Sequence, residues 1–207
     1  EQGMRFTVEE LAAAADLVHG QMSPTPQYHW PGLSAATGAE VWVKHENQTP
    51  VGAFKIRGGL VYFDHLAKSG HKPRGVISAT RGNHGQSIAL AAAKAGVPAV
   101  IYVPEGNSVE KNAAMEAFGA ELVVHGRDFD AAREACEQVL GHGWQKLGLS
   151  LVWDVAHNIA KLEEHMVGDK LRRLGVHRTL LLQTLSPVFA AWIVKLRGLW
   201  CGFQSAC

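Results

Sequence analysis

Residues 75–103 read GVISATRGNHGQSIALAAAKAGVPAVIYV, and this stretch decides the fold. Gly75-Val76-Ile77-Ser78-Ala79 is a short β-prone run, Thr80 to His84 is loop chemistry, and Gly85 to Ala95 is an alanine-rich helix. Gly96 stands where a helix C-cap glycine belongs. Pro98 to Val103 is almost wholly apolar, as a parallel strand buried on both faces should be. The pattern then repeats. Pro104-Glu105-Gly106-Asn107 turns, Ser108 caps a helix that runs to Phe118, and Gly119 ends it. Glu121-Leu122-Val123-Val124 is another strand and Asp128 to Val139 another helix. Strand and helix alternate three times with short loops. That alternation predicts right-handed β-α-β crossovers and an α/β fold of three layers, a parallel sheet with helices on both faces.

Upstream, Thr7-Val8-Glu9-Glu10 reads as a capping box that opens a helix through Leu17-Val18. Ser23-Pro24-Thr25-Pro26 stops it, because proline lacks the N–H and restrains the residue before it. Val41-Trp42-Val43-Lys44 is a candidate strand, and Asn47 to Gly52 is a loop. A helix is expected from Lys55, with Leu60, Val61, Phe63 and Leu66 on its apolar face. Downstream, Leu140-Gly141-His142-Gly143-Trp144 breaks the rhythm, and no second β-α-β series is expected after it. Leu162, Met166, Leu171 and Leu174 give the segment Lys161 to Leu174 the stripe of an ordinary core-facing helix. Leu180 to Val194 is apolar but interrupted by Gln183, Thr184, Ser186 and Pro187. A spanning helix needs about 20 apolar residues, so a buried helix pair is expected there and no membrane partner.

The chain has 207 residues, 47% hydrophobic and 19% charged, enough to bury a core without disulfide staples. Twenty Lys+Arg against 19 Asp+Glu leave +1, so no global field points to nucleic acid. Cys136, Cys201 and Cys207 have no metal-ligand spacing, and no metal is expected. Reduced cysteines, with no basic and apolar leader after Glu1-Gln2-Gly3-Met4, indicate a cytoplasmic protein.

In a wound α/β sheet, ligands gather where strand ends feed helix N-termini. Two such segments carry chemistry: Gly52-Ala53-Phe54-Lys55-Ile56-Arg57-Gly58-Gly59 and Ser78-Ala79-Thr80-Arg81-Gly82-Asn83-His84-Gly85-Gln86. Most lysines are solvated surface residues. Lys55 follows Phe54 among small residues and leads into a helix. Desolvation and a helix N-terminus both disfavour its ammonium, and a neutral amine attacks carbonyls. Arg57 by itself reads as half of a surface ion pair. Thr80, Asn83 and the backbone N–H groups of the second loop suit a carboxylate or phosphate, although glycine and asparagine form turns in any protein. His84 alone reads as a structural histidine at a helix start. Neither nucleotide-binding glycine signature is present.

Together and in order, these segments resemble the fold-type II pyridoxal-phosphate enzymes, and within them the threonine (serine) dehydratase group. The resemblance covers residues 23–139. It rests on Thr25-Pro26, Val43-Lys44-His45-Glu46-Asn47-Gln48-Thr49, the Gly52 to Gly58 and Ser78 to Gln86 segments, Val103-Pro104, and Phe118-Gly119-Ala120-Glu121-Leu122-Val123. It implies a fold like that of the tryptophan synthase β-subunit, with pyridoxal 5'-phosphate as cofactor. Residues 1–49 would belong to the larger lobe, and 50–139 would form the smaller α/β lobe with the Schiff-base lysine. Lys55 would form that Schiff base and remove the Cα proton. Asn83 would bond the cofactor's 3-hydroxyl, and Phe54 would pack beside its ring. Thr80, Asn83 and His84 would bind the substrate carboxylate. The implied reaction is β-elimination from L-threonine or L-serine to a 2-oxo acid and ammonia, an ammonia-lyase activity of amino-acid metabolism, and the enzyme could be a homo-oligomer.

The sequence also departs from the family. No glycine-rich phosphate loop follows Gly126, and Ser186, Ser205, Cys201 and Cys207 lack the surroundings of the residue that faces the pyridine nitrogen. Residues 140–207 thus read as a divergent tail, with the second lobe incomplete. Two further readings stand beside the dehydratase: another enzyme of the same fold, of cysteine synthase or serine racemase type, and a non-catalytic remnant.

Overall fold

The computed structural model describes residues 7–71, 73–140 and 143–146, together with the backbone of 179–183. Helix α1 (Val8–His19) opens on the expected capping box: the Glu10 N–H donates to Thr7 Oγ1 at 3.1 Å, and the Thr7 N–H to a Glu10 carboxylate oxygen at 2.8 Å. Strand β1 (Gln27–His29) and helix α2 (Pro31–Thr37) follow, two short elements with no counterpart in the sequence reading. Pro31 at the first helical position needs no N–H partner, which lets so short a helix start there. Strand β2 (Glu40–Lys44) leads through a 3-10 turn (Glu46–Gln48) to α3 (Lys55–Lys68).

The alternating segment folds as β3 (Gly75–Ala79), α4 (Asn83–Ala95), β4 (Ala99–Val103), α5 (Val109–Ala117), β5 (Glu121–Val124) and α6 (Phe129–Gln138). Gly96 takes φ +68°, the left-handed conformation a side chain resists, and its N–H closes the end of α4 on the carbonyls of Ala92 and Ala93. Ser108 and Asp128 cap α5 and α6 through their side-chain oxygens. Strand β6 (Trp144–Lys146) then pairs parallel with β3, which corrects the expectation that the rhythm ends at Val139. The four strands lie in the order β5-β4-β3-β6, all parallel.

Both faces of this sheet are covered. Val76, Ile101 and Val103 pack with Ile56, Leu60, Ile88 and Met115 from α3, α4 and α5. Ile77 and Val100, pointing the other way by strand alternation, pack with Cys136 of α6. The α/β fold with a parallel sheet between helices is therefore the observed one.

A second sheet has the order β1-β2-β7, with β1 antiparallel to β2. Strand β7 (Thr179–Gln183) lies parallel to β2, from Glu40↔Thr179 to Lys44↔Gln183. The buried helix pair expected over Leu180 to Val194 is corrected here: its first residues extend a sheet, as their continuous apolar run allows. Residues 184–194, the helix expected over 161–174, and the serine and cysteine candidates of the tail lie outside the described residues.

Candidate active site

Lys55 is the first residue of α3. The turn before it is braced by Thr49, whose Oγ1 donates to the Ala53 carbonyl and accepts the Ala53 N–H, both at 2.8 Å. Gly52 makes the same turn at φ +64°. Phe54 is buried, and the Lys55 Nζ lies 5.7 Å from the centroid of its ring.

Arg57 is no surface residue, which corrects the sequence reading. It is fully buried, with Nε 2.9 Å from Glu46 Oε2 and a terminal nitrogen 3.0 Å from Glu46 Oε1. Thr25 Oγ1 donates to the same carboxylate at 2.6 Å, and Lys44 Nζ donates to the Thr25 carbonyl at 3.1 Å. Burial alone would raise the pKa of Glu46. The hydrogen bonds and charge of Arg57, with Thr25 and Lys44, outweigh that and hold the carboxyl below its ordinary range.

The second loop leaves the carboxyl end of β3. Thr80 is buried; its N–H donates to the Tyr102 carbonyl at 2.9 Å, and its Oγ1 accepts the Gly82 N–H at 3.2 Å. Helix α4 begins at Asn83, two residues earlier than expected, so Asn83 and His84 belong to its first turn. His84 is 2% exposed and Asn83 half-buried.

Close helix packing joins the two loops. A Cβ on Gly59 of α3 would lie 2.7 Å from Ser87 Oγ and 3.2 Å from Ala91 Cβ of α4. Ser87 Oγ donates to the Lys55 carbonyl at 2.7 Å, so the first turn of α3 is tied to the first turns of α4. The result is one cavity of about 350 Å³ with Lys55, Thr80, Asn83 and His84 on its wall. Phe54 does not line it, although its ring is the one near the Lys55 Nζ. Arg81, Lys111 and Phe129 complete the wall, and the sequence reading singled out none of them as site residues. The rule that picked out Thr80 to His84 also covers the loops after β4 and β5, which feed α5 and α6 and bring Lys111 and Phe129.

Burial lowers the pKa of Lys55, and the like charge of Lys111 lowers it further. The cavity thus combines an amine disfavoured as ammonium, a hydroxyl, an amide and the N-terminus of a helix. Among the described residues no group of His, Cys, Asp and Glu could hold a metal ion. No described helix is long and apolar enough to cross a membrane.

The model of the family described as pyridoxal-phosphate dependent enzyme matches residues 18–159. The chain belongs to that family, and its fold is that of the fold-type II members. It is similar to the L-threonine ammonia-lyase of Thermotoga maritima, 35% identical over 134 residues, covering 65% of this chain and 33% of that protein. It is also similar to the biosynthetic L-threonine dehydratase of Haemophilus influenzae, 37% identical over 126 residues, covering 61% of this chain and 24% of that protein. Among solved structures, a pyridoxal 5'-phosphate-dependent aspartate racemase superposes with a TM-score of 0.71 at 26% identity, covering 82% of this chain and 54% of that one. The chain spans a third or less of the length of these two curated relatives.

Enzymes of this family bind pyridoxal phosphate. The residues present fit its reactive end: Lys55 offers a primary amine whose protonated form is disfavoured, beside an aromatic ring and within one cavity with hydroxyl and amide groups.

Proposed function

We propose that this chain carries the lysine and the amino-acid-binding turn of a pyridoxal-phosphate-dependent lyase that removes the β-hydroxyl of L-threonine or L-serine, giving a 2-oxo acid and ammonia. The observation that carries the reading is the convergence of Lys55 and the Thr80–His84 turn on one cavity, with the Lys55 ammonium destabilised. The names of the threonine ammonia-lyase and dehydratase relatives support the substrate class.

In this reading Lys55 and Asn83 hold the cofactor, with Phe54 beside them. When bound, pyridoxal phosphate supplies an electron sink for negative charge at the substrate Cα. Lys55, its ammonium disfavoured by burial and by Lys111, takes the proton from Cα as a general base. Thr80, Asn83 and His84 bind the carboxylate, aided by the positive end of α4. Ser87 and the Glu46–Arg57 pair keep the first turn of α3 in place, so that the amine stays aimed at the turn. The division into a larger-lobe segment (1–49), a smaller lobe (50–139) and a tail (140–207) belongs to the same proposal, as does a homo-oligomer.

The test is to add pyridoxal phosphate, reduce with borohydride and map the adduct. A pyridoxyl group on Lys55, absent in Lys55→Ala, is the expected result; native protein without it refutes the reading. Threonine should then yield 2-oxobutanoate. The likeness to a racemase structure favours a second reading, in which serine or threonine is epimerised and chiral chromatography finds the D-amino acid or allo-isomer instead.

A further inference from the structure

The wall of the cavity holds three cationic side chains, Lys55, Arg81 and Lys111, and neither an aspartate nor a glutamate. Lys111 comes from the first turn of α5, where its backbone N–H donates to Ser108. Its side chain reaches the turn that opens α4: a Cβ on Gly82 would lie 2.7 Å from Lys111 Cδ and 2.9 Å from its Nζ. The half-buried Lys111 is thus laid against the backbone of the turn, whereas Arg81 is exposed. No described residue forms an ion pair with Lys111. The Lys111 ammonium and the positive end of α4 therefore converge on a cavity wall that carries no carboxylate, an arrangement that an incoming anion relieves.

We propose that Lys111 is a substrate-binding residue, its ammonium taking the α-carboxylate of the amino acid together with the Thr80–His84 turn. This rests on the proposed function above, and it adds a contact that neither the sequence reading nor the family match assigns. A carboxylate is the anion favoured over the cofactor's phosphate because Lys111 lies on Gly82, inside the turn assigned to the substrate. Gly82 then has a reason to be glycine: any side chain there occupies the path of Lys111.

The experiment loads wild type, Lys111→Gln and Lys111→Arg with pyridoxal phosphate and titrates each with L-threonine and with L-threoninamide, which lacks the carboxylate. The change in visible absorption on mixing, read before 2-oxobutanoate accumulates, reports binding. Loss of one charge-assisted hydrogen bond should weaken threonine ~10- to 100-fold in Lys111→Gln. Threoninamide should bind both proteins alike, and Lys111→Arg should recover most of the loss. Equal weakening of the two ligands, or none, overturns the proposal. So does a Lys111→Gln protein that loses affinity for pyridoxal phosphate but not for pyridoxal, since the charge then serves the phosphate. If Lys111→Gln does not fold, Lys111→Met keeps the apolar stem against Gly82 and repeats the test. A wild type that forms no Lys55 adduct refutes the proposed function itself; an adduct with Lys111 variants that bind threonine normally refutes this inference alone.

Discussion

Arg57 and Glu46 form a two-pronged ion pair at 2.9 and 3.0 Å, both side chains fully buried and Arg57 only two residues beyond Lys55. The pair ties α3 to the segment that follows β2, and Thr25 adds the loop after α1. Desolvating two charges costs several kcal/mol, so the pair is weak evidence for stability as such. Losing one partner is a different matter. Glu46→Ala leaves the buried guanidinium without its carboxylate and should cost about 3–5 kcal/mol in urea unfolding at neutral pH. The pH dependence follows from the sign of the shift. Because the native carboxyl titrates below its ordinary range, its contribution is complete above the unfolded carboxyl's pKa and fades as pH falls through the lowered native value. Wild type should lose this increment on acidification and Glu46→Ala should not; parallel stability curves for the two proteins would show that the pair contributes nothing.

Lys55 titrates below the usual lysine range, first because it is buried and second because Lys111 faces it. The other charged or titratable groups around the cavity are Arg81 and His84. A depressed lysine binds fewer protons folded than unfolded between its two pKa values, so this group makes stability rise with pH across that window. Pulsed acetylation with peptide mass analysis should place the reactivity midpoint of Lys55 at lower pH in native protein than in urea. Lys111→Gln removes the like charge and should move the native midpoint part of the way back. Identical midpoints in native and unfolded protein would end the argument for an activated amine.

Sequence alone carries the β3-to-α6 alternation because each element there satisfies itself locally: Ser108 and Asp128 cap, Gly96 closes, and the strands are continuous apolar runs. Lys55 and the Thr80–His84 turn were legible for the same reason, since strand ends and helix starts are written in consecutive residues. What stays hidden is whatever depends on residues far apart in the chain. Arg57 resembles any surface arginine until Glu46, eleven positions earlier, is seen against it in the core. Strand β7 lies too far from β2 in sequence for any local pattern to announce the pairing. Lys111 belongs to the cavity only because α5 packs beside α4.

Gly59 allows α3 and α4 to approach closely enough for Ser87 to bond the Lys55 carbonyl. Gly59→Ala adds a methyl group that meets Ser87 Oγ at 2.7 Å, so the helices must part or Ser87 must turn away. Alanine raises helix propensity by about 1 kcal/mol over glycine, while overpacking costs about 1–3 kcal/mol. Net stability should fall only modestly, but cofactor capture at Lys55 should suffer, because the site's aim rather than its fold is disturbed. Ser87→Ala removes the bond without the clash and should cost about 1 kcal/mol. Borohydride trapping alongside thermal unfolding separates the two effects; full trapping in Gly59→Ala would show that the contact does not position the lysine.

Cys136 lies on α6 against Ile77 and Val100, 1% exposed, on the face of the sheet away from Lys55. Burial, opposed by Lys146 and reinforced by Glu137, pushes its thiol up to about 11. The thiolate is the nucleophile, so at pH 8 only about a thousandth of this group is reactive, and access is closed as well. Iodoacetamide at pH 8 should leave the Cys136 peptide unmodified in native protein and alkylate it fully in urea. The protection also measures docking of α6, since the thiol becomes accessible only when the helix leaves the sheet. Pro at Ala132, fully buried on the same helix, should break α6 and expose Cys136 to alkylation without denaturant. Rapid native alkylation of Cys136 in wild type would mean that α6 does not cover this face of the sheet.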